Sequence, residues 1–198
     1  MAGEERQDGG EAPRMVEVLK REHANLTHIL DLLEREIDTF DRAGRPDYEI
    51  VEAILAYFLG YPDACHHPKE DAVLSKLRAR DPDAAAAVGD LESEHRELAA
   101  LTRRLADSVD QVLMEVELPR GWLTEAGRRF VAAYRRHMEQ EEATFFPAAV
   151  RVLAPQDWDE IAERTTDPED PLFGARTEKR FEALRREIKS LASERADG

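Results

Sequence analysis

Rows of apolar residues, spaced alternately three and four positions apart, limit more than any other feature what this chain can fold into. A spacing that averages close to 3.6 residues places such a row on one face of an amphipathic helix. Similar rows follow in three later segments, so the sequence predicts four long helices with one buried face each. The first row is Val16, Leu19, His23, Leu26, Leu30, Leu33, Ile37 and Phe40.

Short breaks that contain Gly, Pro or Asp separate these helices. The expected helices lie at about 15–40, 47–80, 82–116 and 122–153. Pro62 and Pro68 are expected to bend or open the second helix. Helices joined by short turns pack as antiparallel neighbours. The predicted fold is therefore all-α, an up-down-up-down antiparallel four-helix bundle over residues 14–154.

The segments on either side of the bundle differ from it. Residues 1–13 show no periodicity and are predicted to form a flexible leader. Residues 155–198 are predicted to form a C-terminal helical extension, with a short helix at 155–164 and a tail helix at about 177–194. The tail has a narrow apolar stripe, so we expect it to pack on the bundle or on a second copy of the chain, as monomer or homodimer. The stripe is Phe181, Leu184, Ile188 and Leu191.

The net charge argues against two classes of partner. The 198 residues include 28 Lys and Arg against 43 Asp and Glu, a formal net charge of −15. Such a surface repels phosphate, so neither nucleic acid nor an anionic membrane is expected as a partner. One cysteine, Cys65, cannot form an internal disulfide, and the longest apolar run is far too short to span a bilayer. Because no secretory signal is recognisable either, we expect a cytoplasmic protein.

Histidines occupy places in the apolar rows that would otherwise hold Leu or Val. A buried imidazole without a partner costs roughly 1–3 kcal/mol, so several of them in one core need a shared explanation. His28 is off the first row and is expected at the surface. The six histidines of the chain are His23, His28, His66, His67, His95 and His137.

The positions of the turns indicate that the other histidines share one level of the bundle. In an antiparallel helix pair, two residues lie at equal height when the turn is midway between them in sequence. With histidine groups centred on positions 23, 68, 95 and 139, the three midpoints are 45.5, 81.5 and 117. Each midpoint falls in or beside a predicted turn, so imidazoles of all four helices are expected in one layer.

Two carboxylates complete the predicted site. His66 precedes Glu70 by four residues, which places both on one helix face, and His137 and Glu141 repeat this spacing. Imidazoles and carboxylates together suit first-row metals, iron above all, and carboxylates from facing helices can bridge two ions. His67, about 100° around the helix from His66, is either a further ligand or a group that orients one. The candidate metal-binding residues are His23, His66, His67, Glu70, His95, His137 and Glu141.

Five neighbours of these residues allow two interpretations each. Glu22, Glu94 and Glu142 adjoin candidate ligands and either orient imidazoles or belong to solvated helix faces. Tyr61 and Tyr134 either donate a hydrogen bond to metal-bound oxygen or pack in the core.

These motifs resemble those of the hemerythrin-like proteins with an HHE cation-binding domain. The resemblance covers about residues 16–152. It implies a non-haem di-iron centre, oxo- or hydroxo-bridged, that reacts with or reversibly binds oxygen, peroxide or nitric oxide; manganese and zinc stay open as alternative metals. The matching segments are Arg21-Glu22-His23, His66-His67-Pro68-Lys69-Glu70-Asp71, Glu94-His95-Arg96-Glu97-Leu98 and His137-Met138-Glu139-Gln140-Glu141-Glu142. Carried over by motif, the ligands would be His23, His66, Glu70, His95, His137 and Glu141.

The sequence departs from the oxygen-carrying members of that family at two places. Those members have a second histidine one turn after the third-helix ligand, where this chain has Ala99. On helix four the nearer acid, Glu141, lies four residues after His137 instead of five, although Glu142 follows it. A histidine-poor, carboxylate-rich site should favour ferric iron, so the layout is expected to be closer to the iron-sensing and peroxide-reactive members.

Three functions follow as hypotheses. The first is a di-iron protein that binds or senses iron and small oxidants such as oxygen, peroxide or nitric oxide. The second is an enzyme with the same site, either a catalase-like, peroxide-degrading enzyme or a ferroxidase. The third is a metal-free interaction bundle whose histidines only pack.

Overall fold

A computed structural model describes residues 13–114, 119–165 and 168–196, and all regular structure within these ranges is helical. The all-α class is therefore confirmed, while most of the predicted leader, residues 1–12, lies outside the described residues. Within the described ranges, no helix combines the length and apolarity that crossing a membrane requires. The helices are α1 (Arg14–Asp41), α2 (Tyr48–Phe58), α3 (His67–Arg80), α4 (Pro82–Val88), α5 (Leu91–Leu113), α6 (Arg120–Gln140), α7 (Phe146–Val152), α8 (Pro155–Arg164) and α9 (Glu182–Ala196). Two π-helical segments lie at Pro62–His66 and Glu141–Phe145.

Helix α1 buries the face that its apolar row predicts, from Val16 to Leu33. The last two row positions, Ile37 and Phe40, are half-buried and pack against the same core. The chain then turns at Ala43, whose φ is +63°. Asp47 caps the next helix by accepting hydrogen bonds from two backbone N–H groups of its first turn.

The prolines open the second predicted helix, as expected. Helix α2 ends at Phe58, and the chain passes through the π-helical segment Pro62–His66 before α3 begins. Pro68 has no N–H to donate to the carbonyl of Ala64, four residues earlier. Instead, the N–H of His67 reaches back five residues to the carbonyl of Pro62.

The prediction of one continuous helix over 82–116 is wrong. Helix α4 stops at Val88, and α5 starts at Leu91. Gly89 between them has φ +102°, a conformation that glycine adopts without strain and that cannot continue a helix. Asp90 then caps α5 by accepting from the N–H of Ser93. Val116, the last position of the apolar row that predicts this helix, lies within 115–118, outside the described residues.

A second π-helical segment, at Glu141–Phe145, interrupts the fourth predicted helix. Regular helical spacing from His137 and Glu141 predicts that Thr144 also faces inward. This prediction is wrong: the side chain of Thr144 is exposed, and Phe145 is buried in its place. The wider π turn shifts the register by about one residue. The cause is the same as in the second helix. Pro147 has no N–H to donate to the carbonyl of Ala143, and the N–H of Phe146 donates to the backbone carbonyl of Glu141 instead.

The core consists of two apolar clusters, and the layer of buried histidines lies between them. Helix α1 packs on α6, and α5 packs on both α6 and α2. One cluster contains Leu26, Phe58 and Phe130, and the other contains Leu19 and Phe145. His23 lies on α1 between Leu19 and Leu26, so the polar layer separates the two apolar clusters.

The tail packs on the bundle. Phe181, Leu184 and Ile188 are buried in the same cluster as Tyr57, and α9 lies against α1 and α2. Helix α8 lies against α3. There, the buried carboxylate of Asp157 accepts three hydrogen bonds from the guanidinium of Arg80.

Candidate metal centre

Five of the chain's six histidines, all of which the structure describes, are buried in one layer of the bundle. The ring centroids of His23 and His66 are 5.0 Å apart, and those of His95 and His137 are also 5.0 Å apart. His67 stacks on His95 at 4.1 Å with nearly parallel rings. The sixth histidine, His28, is exposed, as its sequence position predicts.

Glu70 from α3 lies at the centre of this layer and is fully buried. Its Oε1 is 3.4 Å from Nε2 of His23 and 3.2 Å from Nε2 of His66. Its Oε2 is 3.5 Å from Nε2 of His95. One carboxylate thus has an oxygen toward each half of the site.

Glu141 from the second π-helical segment divides its oxygens in the same way. Its Oε2 is 3.3 Å from Nε2 of His23, while its Oε1 is 3.3 Å from Nε2 of His137 and 3.7 Å from Nε2 of His95. Glu70 and Glu141 therefore lie between two groups of imidazoles, as two bridging carboxylates would.

Two groups of side chains in the described part of the chain bring donor atoms close enough to hold a metal ion here. Within each group the donor atoms lie within 4.8 Å of one another. Glu70 belongs to both groups, so the geometry suits two adjacent ions that share this carboxylate. The first group is His23, His66 and Glu70; the second is His67, Glu70, His95 and His137.

A carboxylate lies within hydrogen-bonding distance of the outer ring nitrogen, Nδ1, of each of the five imidazoles. The pairs are His23–Glu142 at 3.0 Å, His66–Glu22 at 2.8 Å, His67–Asp63 at 3.1 Å, His95–Asp71 at 3.1 Å and His137–Glu94 at 3.0 Å. A carboxylate at Nδ1 favours a proton on that nitrogen and leaves the lone pair of Nε2 directed into the site. All five rings are therefore oriented as metal ligands.

The sequence left two roles open for three of these outer carboxylates and missed the other two. For Glu22, Glu94 and Glu142, the structure selects the orienting role over the solvated helix face. Asp63 and Asp71 were missed. The spacing of four residues between Asp63 and His67 could have predicted their pairing. Nothing in the sequence predicts the contact of Asp71 with His95, because the two residues lie on different helices.

The buried polar atoms at the centre have no hydrogen-bonding partner within the described residues. Such atoms are rare in proteins, because each costs the desolvation of a polar group. Here they converge on one place, combine imidazole nitrogen with carboxylate oxygen, and are the donor types that first-row metals bind. The residues present therefore fit a metal centre. The atoms are Nε2 of His23, His95 and His137 and both carboxylate oxygens of Glu70 and Glu141.

The carboxylates change the protonation of the metal-free site. Although burial opposes protonation, the carboxylates of Glu141 and Glu70, 3.3 and 3.4 Å from Nε2, raise the pKa of His23 to about 10. Burial is likewise outweighed by carboxylates at His66, whose pKa rises to about 9, and at His95, whose pKa rises to about 11. Burial opposes ionisation of Glu70, but the nearby imidazoles hold its pKa well below the usual range. Without metal, protons on the imidazoles balance the buried carboxylate.

The described residues add an imidazole to the set from which a histidine-poor site was expected. That expectation rested on Ala99, which stands where the oxygen-carrying members of the family have a further histidine. The structure places His67 beside His95, within the second donor group. Five imidazoles therefore surround the two carboxylates.

The two tyrosines near the site have other hydrogen-bonding partners. The hydroxyl of Tyr61 donates to Oε1 of Glu22 at 3.0 Å, and the hydroxyl of Tyr134 lies 3.3 Å from that of Thr102. Each phenol is thus engaged with a neighbouring side chain and not with the donor atoms of the centre.

A surface cleft of about 230 Å³ reaches one ligand of the centre. It lies between α5 and α6, and His137 forms part of its lining together with Glu94 and Gln140. The amide of Gln140 donates to the carbonyl of Val88 and to Glu94. This cleft therefore borders the candidate centre at His137.

Comparison with known proteins gives one match. The family described as the hemerythrin HHE cation-binding domain matches residues 14–149, well over half of the chain. This range contains all seven candidate ligands and ends before α8 begins. Neither the curated proteins nor the solved structures give a significant match.

Proposed function

Because this chain belongs to the hemerythrin HHE cation-binding family, we propose that its core is an up-down-up-down antiparallel four-helix bundle that holds two iron ions. In this proposal the protein binds or senses iron together with a small oxidant, either a diatomic molecule or peroxide. The main support for this proposal is the set of buried imidazole nitrogen and carboxylate oxygen atoms that have no hydrogen-bonding partner and converge between the four helix faces.

The donor set favours iron over manganese and zinc. Manganese prefers oxygen ligands, and protein zinc sites are mostly four-coordinate. Five imidazoles with two shared carboxylates supply more nitrogen than manganese favours and more donors than two zinc ions need. Iron accepts both donor types at higher coordination numbers.

The two proposed ion positions differ in the number of side chains that face them. The first has the imidazoles of His23 and His66, and the second has those of His67, His95 and His137, with one oxygen each from Glu70 and Glu141 for both. The first position therefore has fewer protein ligands. An open coordination position is what allows a metal to bind a small molecule, so the oxidant is proposed to bind on the His23 and His66 side.

The chain's own residues hold the site in shape. The outer carboxylates keep Nε2 of the imidazoles pointing inward, and Glu70 and Glu141 offset part of the charge of the ions. Phe146 stacks on His23 at 5.4 Å, and apolar residues on both sides of the layer exclude bulk water. When bound, iron would supply one-electron redox chemistry and Lewis acidity at this place.

An enzyme that uses the same site is the second candidate. The cleft at His137 favours it, since a peroxide-degrading or ferroxidase reaction needs a polar path for substrate and product, and Glu94, Glu97 and Gln140 line this one. Sustained oxygen release from hydrogen peroxide over many turnovers would favour the enzyme. A single stoichiometric reaction, or reversible binding, would favour the sensor or carrier.

Elemental analysis tests the proposal against a metal-free bundle. The chain is purified without added metal, reconstituted with ferrous iron under argon, and desalted. We expect two irons per chain in the wild type and in His28→Ala, and a clear loss in His66→Ala and Glu70→Gln. Equal and negligible iron in all four proteins would leave only the metal-free interaction bundle.

A further inference from the structure

Two buried tyrosines form a stacked pair next to the metal centre. The rings of Tyr57 and Tyr61 are 5.4 Å apart, with an angle of 27° between their planes. Each hydroxyl donates to its own carboxylate at 3.0 Å: Tyr61 to Glu22 and Tyr57 to Asp170. Each phenol of this pair therefore has a proton acceptor in place.

Glu22 connects this pair to the centre. Its Oε1 accepts from Tyr61, and its Oε2 lies 2.8 Å from Nδ1 of His66. Lys69 also donates to Oε1 of Glu22. Glu22 is buried, whereas the carboxylates paired with the other four imidazoles are partly exposed, for example Glu142. Tyr61 is therefore two hydrogen bonds and one carboxylate away from a candidate ligand.

The other two tyrosines lack this arrangement. Tyr134 is as deeply buried as Tyr57, but its hydroxyl partner is the hydroxyl of Thr102, which cannot hold an extra proton near neutral pH. Tyr48 is half-buried at the start of α2. The chain thus contains a natural control for the pair: a buried tyrosine without a carboxylate.

We propose that Tyr61 and Tyr57 form a one-electron path that reduces the centre after it has been oxidised by hydrogen peroxide. This inference rests on the proposed iron centre. Tyr61 gives one electron to the oxidised centre by way of Glu22 and His66, and its phenolic proton moves along the existing hydrogen bond to Glu22. The phenol becomes a neutral phenoxyl radical, and the charge of the centre falls by one.

The second step passes the oxidising equivalent outward. Tyr57 gives one electron to the Tyr61 radical, which takes its proton back from Glu22 and is again a phenol. The proton of Tyr57 moves to Asp170, in the loop between α8 and α9. A small-molecule thiol or ascorbate then gives one electron to the Tyr57 radical, which takes its proton back from Asp170. The reductant becomes its one-electron oxidised product and releases its own proton to solvent.

The carboxylates are what make the path possible. Oxidised phenol is a strong acid, so its oxidation is favourable only where the proton can leave at the same moment. Both phenols have an acceptor at 3.0 Å, and their rings stack with centroids 5.4 Å apart, so the electron has a short distance to cross between them. The path directs oxidising equivalents away from the imidazoles and toward the surface.

Electron paramagnetic resonance tests this proposal directly. Iron-loaded protein of known iron content is mixed with hydrogen peroxide and frozen within milliseconds to seconds. We expect an organic-radical signal in the wild type, whose hyperfine pattern collapses when the protein is made with ring-deuterated tyrosine. We expect the signal at full strength in Tyr134→Phe and at least tenfold weaker in Tyr61→Phe. Added ascorbate should shorten the lifetime of the radical in the wild type.

The outcomes separate this proposal from that of the iron centre. If the wild type binds no iron, both proposals fail. If it binds two irons and peroxide changes its visible spectrum, yet no tyrosyl radical forms, the iron centre stands and the electron path is refuted. The same holds if Tyr61→Phe shows an undiminished radical. Deuteration of the tyrosines identifies the radical even if the Phe variants lose stability.

Discussion

Paired imidazoles and carboxylates determine what the individual residues of the centre can do. Each candidate ligand ring has a carboxylate at Nδ1, which holds its orientation without any metal. Four of these carboxylates come from a helix or segment other than that of their imidazole, and only Asp63 is a neighbour on the same stretch of chain. The tertiary packing of the bundle therefore fixes the ring orientations.

Removing one outer carboxylate should weaken metal binding without unfolding the chain. Glu142→Gln keeps the size of the side chain but removes the charge that favours the Nδ1 proton of His23. We expect iron affinity to fall roughly 10–100-fold, measured by competition with a chelator of known affinity. Glu139→Gln, an exposed acid three residues away, is the matched control and should change little. Equal affinities of the two variants would contradict the orienting role.

Proton binding at the centre should make the metal-free protein less stable as pH rises. His66, His23 and His95 have folded-state pKa values of about 9, 10 and 11, above the ordinary value of 6.5. Their contribution is complete below pH 6.5 and is lost as pH rises through those folded values. From about pH 7 upward, the free energy of unfolding should fall by about 1.4 kcal/mol per pH unit for each imidazole that stays protonated in the folded state.

Urea titrations of the metal-free protein at several pH values measure this slope. Glu141→Gln, which removes a carboxylate that raises the pKa of His23 and His95, should show a shallower slope than His28→Ala. Metal affinity should have the opposite pH dependence, because the ions must displace protons from the imidazoles. A stability that is flat or rising from pH 7 to 9 would contradict the protonated site.

At the residue scale, the sequence predicted what depends on periodicity and failed where side chains meet across helices. His23, His95 and His137 were found because they interrupt apolar rows. His67 was left open, since its angle on an ideal helix points away from His66. Its position depends on the π-helical segment just before it, which no apolar pattern announces.

Two π-helical segments position the candidate ligands His66 and Glu141. His66 ends the first segment and Glu141 begins the second, and a proline follows each segment after two residues. Each proline removes the N–H that would close an ordinary helical turn. The widened turns bring His66 and Glu141 into the layer with a spacing that a regular helix does not give. Segments of this kind occur often at functional sites.

Restoring a normal turn should therefore damage the site while sparing the fold. Pro147→Ala supplies an N–H that can reach the carbonyl of Ala143, so the segment Glu141–Phe145 can revert to a regular helix and rotate Glu141 out of the layer. We expect most of the bound iron to be lost, with helical content by circular dichroism unchanged or higher. Pro155→Ala, at the start of α8, is the control. Full iron content in Pro147→Ala would contradict the role of the segment.

Helix boundaries show the same division between what the pattern predicts and what it cannot. The breaks at Gly44 and Pro46 and at Pro119 were expected. The break at Gly89 was missed, because the apolar spacing continues from Val88 to Leu91 across it. Thr144 was placed inward by counting along a regular helix, and the inserted residue of the π turn shifted the register.

The whole molecule is two apolar clusters with a charged layer between them. Buried carboxylates and unpartnered imidazole nitrogens weaken such a core unless an ion neutralises them. The tail adds to one cluster through Phe181 and Leu184. Its apolar stripe was evident from the sequence, but a stripe alone cannot specify which apolar face it covers.

Metal should therefore stabilise the entire bundle. An ion present at 1,000 times its dissociation constant adds about 4 kcal/mol to the free energy of unfolding. We expect the melting temperature of the iron-loaded wild type to exceed that of the chelator-treated protein, measured anaerobically by calorimetry. Glu70→Gln should melt at the same temperature with and without iron. A wild type that is insensitive to iron would mean that the layer is satisfied in another way.

X-ray diffraction from crystals of the iron-loaded protein, with data collected on both sides of the iron absorption edge, tests the central claim most directly. Two anomalous peaks are expected in the core, one beside His23 and His66 and the other beside His67, His95 and His137, with Glu70 and Glu141 touching both. A single peak, peaks at the surface, or none would contradict a two-iron centre in this bundle.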